Sequence, residues 1–164
     1  MRHGRRLLVA GATAWIVTLS AATPAGAATV RLFDPRGDAP ASADVLSYTI
    51  TNGGPSLRVA VKVRDLAPQS DITLYVNQAG AGEYVLRTAP VGKGTLTFER
   101  GVIQRAIHCG WTLTRLTDAR STLKLSISQA CFGSRAGGAW VDLIMWQAGG
   151  QGSDNVKKVF VPRG

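Results

Sequence analysis

The stretch SLRVAVKVRDL, residues 56–66, decides the fold class because apolar and polar side chains alternate along it. Its apolar positions are Leu57, Val59, Val61 and Val63, and the positions between them are Arg58, Ala60, Lys62 and Arg64. Successive side chains of a β-strand point to opposite faces. The alternation therefore predicts a strand with one buried face and one basic face.

The same period of two recurs along most of the chain. Further strands are predicted near residues 46–50, 72–76, 96–98 and 123–127, and weaker ones at 29–33, 83–88, 102–107, 111–116 and 156–161. The run GAWVDLIMW, residues 138–146, is apolar on both faces and predicts a central strand. Turn residues separate these runs, and no window of 11 residues has helical spacing. Nine or ten short strands in one domain predict a two-layer antiparallel β-sandwich.

The N-terminus has the pattern of a secretory signal peptide. Arg2, Arg5 and Arg6 precede an apolar run over residues 7–19, and small residues follow up to Ala27. The run is shorter than the roughly 20 apolar residues of a membrane-spanning helix. We therefore expect residues 1–27 to be removed, leaving a single secreted domain of residues 28–164 without a membrane span.

The net positive charge of the chain indicates which classes of binding partner to expect. The chain has a net charge of +9, and sixteen basic and ten acidic residues remain after the three arginines of the signal peptide are removed, a net charge of +6. Such a chain is attracted to anionic surfaces. An exported protein without a nucleic-acid-binding motif is not expected to bind nucleic acid. Anionic cell-wall polymer and carbohydrate are the partners we expect for a monomer at the cell surface.

Two cysteines, Cys109 and Cys131, remain in the exported chain. Thiols oxidise outside the cell, so we expect them to form a disulfide bond. In the chain-entropy account this bond would stabilise the fold by about 3 kcal/mol.

Carboxylates near the start of the domain raise the question of a metal. The segment DPRGD, residues 34–38, and the nearby Asp44 place three aspartates within eleven residues. Calcium binds six to eight oxygen atoms, and Asp34, Asp38 and Asp44 are candidate ligands. The alternative is a turn in which the aspartates accept hydrogen bonds from backbone N–H groups.

Three features together carry a resemblance to known proteins. The D-x-x-G-D loop, the strand ending VKVRDL at residues 61–66 and the later cysteine pair resemble small secreted β-sandwich proteins of actinobacteria. More distantly, residues 33–66 are similar to the sandwich modules grouped with family 9 carbohydrate-binding modules and DOMON domains. The first group supplies no activity to carry over. The second implies calcium or sugar binding, with Asp34 and Asp38 at the matching positions.

A row of basic residues is the candidate binding surface. Arg58, Lys62 and Arg64 share the outward face of one predicted strand, and Lys124 is expected to join them. Such a row can bind phosphate or carboxylate groups of a polymer through contacts that salt weakens. The alternative is a solvated face that protects the sheet from aggregation.

The sequence offers little support for an enzyme. His108 is the sole histidine after the signal peptide, and no nucleophile motif is present. A hydrolase would need Glu83, Glu99 or Asp142 to meet His108 in one cleft. Asp142 lies between apolar residues and would need a partner, such as an arginine of a neighbouring strand, if buried. The three tryptophans Trp111, Trp140 and Trp146 are expected to fill the interior.

The sequence thus predicts a non-catalytic, secreted β-sandwich that binds an anionic polymer. The alternatives are a calcium-assisted carbohydrate-binding module and, third, a small hydrolase.

Overall fold

The computed structural model describes residues 26–78, 82–88, 94–100, 102–133, 137–147, 149 and 151–164. These residues form eleven β-strands and one short 3-10 helix, and no α-helix. The strands are β1 (Ala28–Phe33), β2 (Val45–Gly53), β3 (Ser56–Val63), β4 (Asp71–Gln78), β5 (Gly82–Thr88), β6 (Gly94–Arg100), β7 (Ile103–Ala106), β8 (Trp111–Leu116), β9 (Thr122–Ser128), β10 (Ala139–Trp146) and β11 (Ser153–Val161). The 3-10 helix (Gln129–Phe132) follows β9.

The strands form two antiparallel sheets, which confirms the predicted sandwich. The five-stranded sheet has the order β1-β2-β3-β9-β8, and the six-stranded sheet has the order β11-β10-β4-β5-β6-β7. Eleven strands form where nine or ten were expected, because every run named above forms a strand of its own, including the weak runs that become the short edge strands β1 and β7.

The core lies between the two sheets and is built from alternate residues of their strands. On β3, Val59, Val61 and Val63 are each at most 1% exposed, as the opening stretch predicts. Leu74 and Leu143 occupy facing positions on β4 and β10 of the other sheet and are also buried. The apolar alternation therefore specifies which face of each strand is buried.

Hydrogen bonds from β2 to β11 close one side of the sandwich. The Val45 N–H donates to Asp154 Oδ2 over 2.7 Å, and Asn52 Nδ2 donates to the Val161 carbonyl over 3.2 Å. Between them the Tyr48 hydroxyl donates to the Lys157 carbonyl. The two sheets are thus joined along this side by polar contacts as well as by the core.

A disulfide bond links Cys109 to Cys131, as predicted. Cys109 lies just before β8, and Cys131 lies in the 3-10 helix after β9. The bond therefore ties together the two outer ends of the β8–β9 pair. Beside it, the ring of Trp111 lies against Gly94 of the other sheet, where a Cβ atom would be 2.8 Å from Trp111 Cη2, so glycine permits this close approach.

The predicted signal peptide, residues 1–27, lies outside the described residues except for its last two. Among the residues that the structure describes, no helix is long and apolar enough to cross a membrane.

Candidate functional site

The outer face of the five-stranded sheet carries positive charge and no negative charge. Its five strands contain no aspartate or glutamate. Four basic residues lie at positions that alternate with the core positions: Arg31, Arg58, Lys62 and Lys124. Any anion that approaches this face meets only attractive side-chain charges from the strands themselves.

A depression of about 360 Å³ lies in this outer face. Its floor is at Ala60, in the middle strand of the sheet, where a single methyl group leaves the surface low. Ala60 lies opposite Thr49 on β2 and opposite Lys124 on β9. Threonine and serine side chains surround the floor: Thr49, Thr51, Thr112, Thr114 and Ser126.

Two cations border the depression. Arg58 and Lys124 both line it, and both side chains are exposed. They are diagonal neighbours on β3 and β9, because Lys124 lies opposite Ala60, two residues from Arg58. Diagonal neighbours lie about 7–8 Å apart. The lining is largely apolar and includes Val59 and Leu125, so the hydroxyl groups and the two cations are the polar contacts that it offers to phosphate or carboxylate groups.

The structure divides the predicted basic row. Arg58 and Lys124 line the depression. Lys62 lies further along β3, and its Nζ donates to the Arg120 carbonyl. Arg64 lies past the end of β3, where its Nη1 forms a salt bridge of 3.1 Å with Asp44 Oδ2. Arg64 therefore belongs with the acidic loop and not with the depression.

Arg31 is a member of the basic face that sequence reasoning missed. It lies on β1 opposite Thr49, in the row that contains Ala60 and Lys124. Its guanidinium carbon lies 5.0 Å from the ring centre of Phe33, which is 74% exposed. The signal available in the sequence was the alternation of Val30 and Leu32 with this arginine.

A cluster of carboxylates forms where the β1–β2 connection meets β11. Asp34, Asp38 and Asp154 each offer one oxygen atom, and these three atoms lie within 4.8 Å of one another. The structure thus brings together two of the predicted metal ligands, Asp34 and Asp38. Asp154 was not predicted, because more than a hundred residues separate it from the loop. It is 5% exposed.

Asp44, the third predicted ligand, lies beside this cluster and is completely buried. Its Oδ2 accepts a hydrogen bond of 3.0 Å from the Gly37 N–H in addition to the Arg64 salt bridge. Gly37 has φ of 90°, a conformation that favours glycine. Asp44 Oδ1 has no hydrogen-bond partner among the described residues. An unsatisfied buried acceptor of this kind costs about 1–3 kcal/mol.

Repulsion between the carboxylates changes how they hold protons. Burial raises the pKa of Asp34 to about 6, and the negative charges of Asp154 and Asp38 add to this shift. Burial also raises the pKa of Asp154, although the hydrogen bond from the Val45 N–H opposes the shift. The acidic loop is therefore more than a turn in which each aspartate caps a backbone N–H group.

The outer face of the six-stranded sheet has a different composition. Trp140 and Phe160 lie opposite each other on β10 and β11, with ring centres 5.5 Å apart, and are 47% and 45% exposed. The expectation that Trp140 fills the interior is wrong. Trp146 lies on the same outer face as Trp140 and is partly buried there, and its Nε1 donates to Thr73 Oγ1 over 3.1 Å. Trp111, by contrast, packs against the core. A run that is apolar on both sides did not reveal which side is buried.

The four residues considered for a hydrolase do not line one cleft. Glu83 and Glu99 face each other across β5 and β6, which no sequence signal predicted. Glu99 Oε1 accepts hydrogen bonds from Arg87, Thr97 and Gln104.

Asp142 and His108 lie apart from that pair. Asp142 is partly exposed, and its Oδ1 accepts a hydrogen bond of 2.8 Å from the Leu143 N–H instead of pairing with an arginine. His108 is exposed and lines a separate depression with Trp111 and Cys109, which none of the three carboxylates lines.

No protein-family model and no curated protein matches the chain.

Proposed function

We propose that this protein is a secreted, non-catalytic β-sandwich that binds an anionic extracellular polymer across the outer face of its five-stranded sheet. The observation that carries the proposal is a sheet of five strands without any acidic residue, with a depression at its centre that two cations and several threonine and serine side chains border. Arg58 and Lys124 are the principal contacts, and Lys62 and Arg31 extend the surface to either side.

The chemistry of the depression selects the class of ligand. Threonine and serine hydroxyl groups donate to anionic oxygen atoms, and arginine adds charge-assisted hydrogen bonds. A phosphate-bearing or carboxylate-bearing polymer presents repeated anions that occupy several cations of the face at once. Each single contact is weak at an exposed site, so the affinity comes from the repeat.

The location and the absence of catalysis complete the proposal. The predicted signal peptide and the Cys109–Cys131 disulfide both support an extracellular protein. The monomer uses its cationic face for the polymer, and Arg64 serves the acidic loop instead. Neither His108 nor the carboxylates on the six-stranded sheet take part in binding.

The proposal is tested by binding of the chain from Ala28 to Gly164, which contains all eleven strands. The probes are a poly(glycerol phosphate), a polygalacturonate and a neutral dextran, each titrated by calorimetry at several salt concentrations. We expect binding to the two polyanions and none to dextran, with a logarithmic salt dependence of slope roughly −2 to −3, set by the number of cations engaged. The two polyanions distinguish a phosphate ligand from a carboxylate ligand.

A matched pair of variants locates the binding face. Arg58→Gln/Lys124→Gln should weaken polyanion binding by at least about tenfold, which corresponds to about 1.4 kcal/mol. Arg105→Gln/Lys158→Gln removes the same charge from exposed positions of the six-stranded sheet and should leave binding within about twofold. Equal losses in both variants, or binding that salt does not weaken, would count against the proposal.

A carbohydrate-binding module is the second candidate, and the exposed Trp140–Phe160 pair favours it. Aromatic rings at a protein surface stack against the apolar faces of sugar rings. Asn77 of β4 lies opposite Trp140 and offers amide hydrogen bonds next to the rings. In the calcium-assisted form of this candidate, the ion would occupy the acidic cluster, which lies near the opposite end of β10 because Asp154 pairs with Met145.

The two candidates predict opposite behaviour. Binding of a neutral oligosaccharide at the aromatic pair should resist salt and be lost in Trp140→Ala, while Arg58→Gln/Lys124→Gln leaves it unchanged. Binding to polyanions should show the reverse pattern. Salt-resistant binding of neutral sugars alone would replace the first candidate with the second.

A further inference from the structure

The acidic cluster has the spacing of ligands around a single ion. Calcium binds oxygen atoms at about 2.3–2.6 Å, so two ligands of the same ion lie at most about 5 Å apart. The three oxygen atoms of Asp34, Asp38 and Asp154 lie within 4.8 Å of one another. One ion between them can contact all three.

A second observation at this cluster points to a missing partner. Asp44 is completely buried, and its Oδ1 has no hydrogen-bond partner among the described residues. Its other oxygen is taken by Gly37 and Arg64. Asp44 lies next to the cluster, because its Oδ2 accepts from the N–H of Gly37, the neighbour of Asp38, and the N–H of the following residue, Val45, donates to Asp154 Oδ2. A cation at the cluster would offset the charge of this buried carboxylate.

The charge at the cluster is unbalanced. Four aspartates converge there, and the salt bridge that the structure shows among them joins Arg64 to Asp44. A divalent cation would offset the repulsion among the other three. Carboxylates held this close repel one another when ionised, so a cation that binds the folded chain would stabilise it.

The donor set identifies the kind of ion. All candidate ligands are carboxylate oxygens, which suit hard cations better than zinc or copper, whose sites usually contain nitrogen or sulfur ligands. The ligands come from an irregular loop and a distant strand, and calcium accepts such variable geometry, whereas magnesium requires a near-regular octahedron. We propose that Asp34, Asp38 and Asp154, with the buried carboxylate of Asp44 beside them, bind one calcium ion that fastens the β1–β2 connection to β11.

The calcium site stands independently of polymer binding, since its residues lie outside the depression. The test uses the chain from Ala28 to Gly164 after treatment with a chelator. Calorimetry with calcium chloride should give one site per chain, and calcium at about 1 mM should raise the melting temperature by several degrees. The same concentration of magnesium should give a clearly smaller rise.

Variants show whether the response comes from this cluster. Asp38→Asn alters an exposed ligand, so the protein should fold while its calcium affinity falls by at least about tenfold. Asp118→Asn is the matched control, because Asp118 is exposed, is paired with Arg120 and is not one of the carboxylates of the cluster, so this variant should bind calcium normally.

Three outcomes would overturn the proposal. A folded wild-type chain that shows neither heat of binding nor a change in melting temperature has no such site. A calcium response that survives in both Asp34→Asn and Asp38→Asn comes from elsewhere in the chain. An equal response to magnesium would rule out the assignment to calcium.

Discussion

The outer faces of the two sheets share one backbone geometry but differ in charge and in surface shape. The strands of the five-stranded sheet contain basic residues and no acidic ones, and its face is lowered at Ala60. The strands of the six-stranded sheet contain basic and acidic residues, and the acidic ones are Asp71, Glu83, Glu99, Asp142 and Asp154. That face also carries the exposed Trp140–Phe160 pair.

The contrast between the two outer faces shows that the outward positions of the strands are the ones free to serve a function. Inward positions of both sheets carry similar aliphatic side chains because they share one core. Outward positions contribute less to stability, so their composition is constrained by solubility and by partners. A face without a single carboxylate is then a functional signal, whereas a mixed face such as that of Glu99 and Arg87, which pair with each other, needs no partner.

The largest expected effect concerns the disulfide, which holds the strand that supplies Thr112 and Thr114 to the depression. Cys109→Ala/Cys131→Ala should lower the free energy of unfolding by about 3 kcal/mol. The loss should appear first in β8, which pairs only with β9. Hydrogen exchange should accelerate in β8 and β9 more than in β4 and β5. Equal acceleration of hydrogen exchange in all four strands would show that the disulfide stabilises both sheets and not the five-stranded sheet in particular.

The next effect comes from giving the cationic face a carboxylate, the charge that otherwise occurs on the strands of the six-stranded sheet. Ala60→Glu raises the floor of the depression and places a carboxylate among the cations. Polyanion affinity should fall by about 30-fold, or about 2 kcal/mol, in calorimetric titration. Thr95→Glu, an exposed outward position of the six-stranded sheet, is the control and should change affinity by less than about twofold. A similar loss from Thr95→Glu would mean that total charge, and not the face, decides binding.

A smaller effect concerns the acidic cluster, which lies outside the depression. The stability of the folded protein should depend on pH through Asp34. The pKa of Asp34 is raised to about 6 in the folded protein, mainly by burial, from 3.8. The folded state therefore holds this proton more tightly than the unfolded state. The stabilisation is fully present below pH 3.8 and is lost as the pH rises to about 6.

This pH effect is measured in chelator, so that no metal masks it. Because Asp34 is partly exposed, we expect roughly 1–2 kcal/mol less stability at pH 7 than at pH 4 from this group. Asp34→Asn should remove that share of the pH dependence in urea titrations. If wild type and variant give parallel pH profiles, Asp34 does not carry the effect.

The smallest effect tests how far the basic face extends. Arg31→Gln removes a cation from the edge strand, about three strands and roughly 14 Å from Lys124. Polyanion affinity should fall by about threefold, and the salt slope should become shallower by less than one unit. Arg100→Gln, an exposed arginine of the six-stranded sheet, should have no effect. A loss as large as that of the Arg58/Lys124 pair would move the centre of the site to the sheet edge.

The fold was largely predictable because one physical rule, alternation, acts locally. Val59, Val61 and Val63 show the rule most clearly, and the disulfide was predicted from two cysteines in a chain that begins with the pattern of a signal peptide. Trp140 shows where the rule stops. When both faces of a strand are apolar, as in β10, alternation does not indicate which face the second sheet covers.

The candidate sites were only half predictable, because they depend on where strands end and which distant strands meet. Arg64 continues the parity of Arg58 and Lys62, yet β3 ends at Val63 and the arginine turns toward Asp44. Asp154 comes close to Asp34 because β11 of one sheet contacts β2 of the other, where the Val45 N–H donates to Asp154 Oδ2. Contacts of such long sequence separation leave no local pattern.

The order of strands in the five-stranded sheet has a consequence for how the protein is made. β1, β2 and β3 precede β4 to β7 along the chain, and β8 and β9, which complete the sheet, come after them. Arg58 therefore meets Ser126, its neighbour in the finished sheet, only after all of β4 to β8 has been synthesised. The outer face that contains the depression is completed late in synthesis, and a chain that ended before β8 would lack Thr112, Thr114 and Lys124.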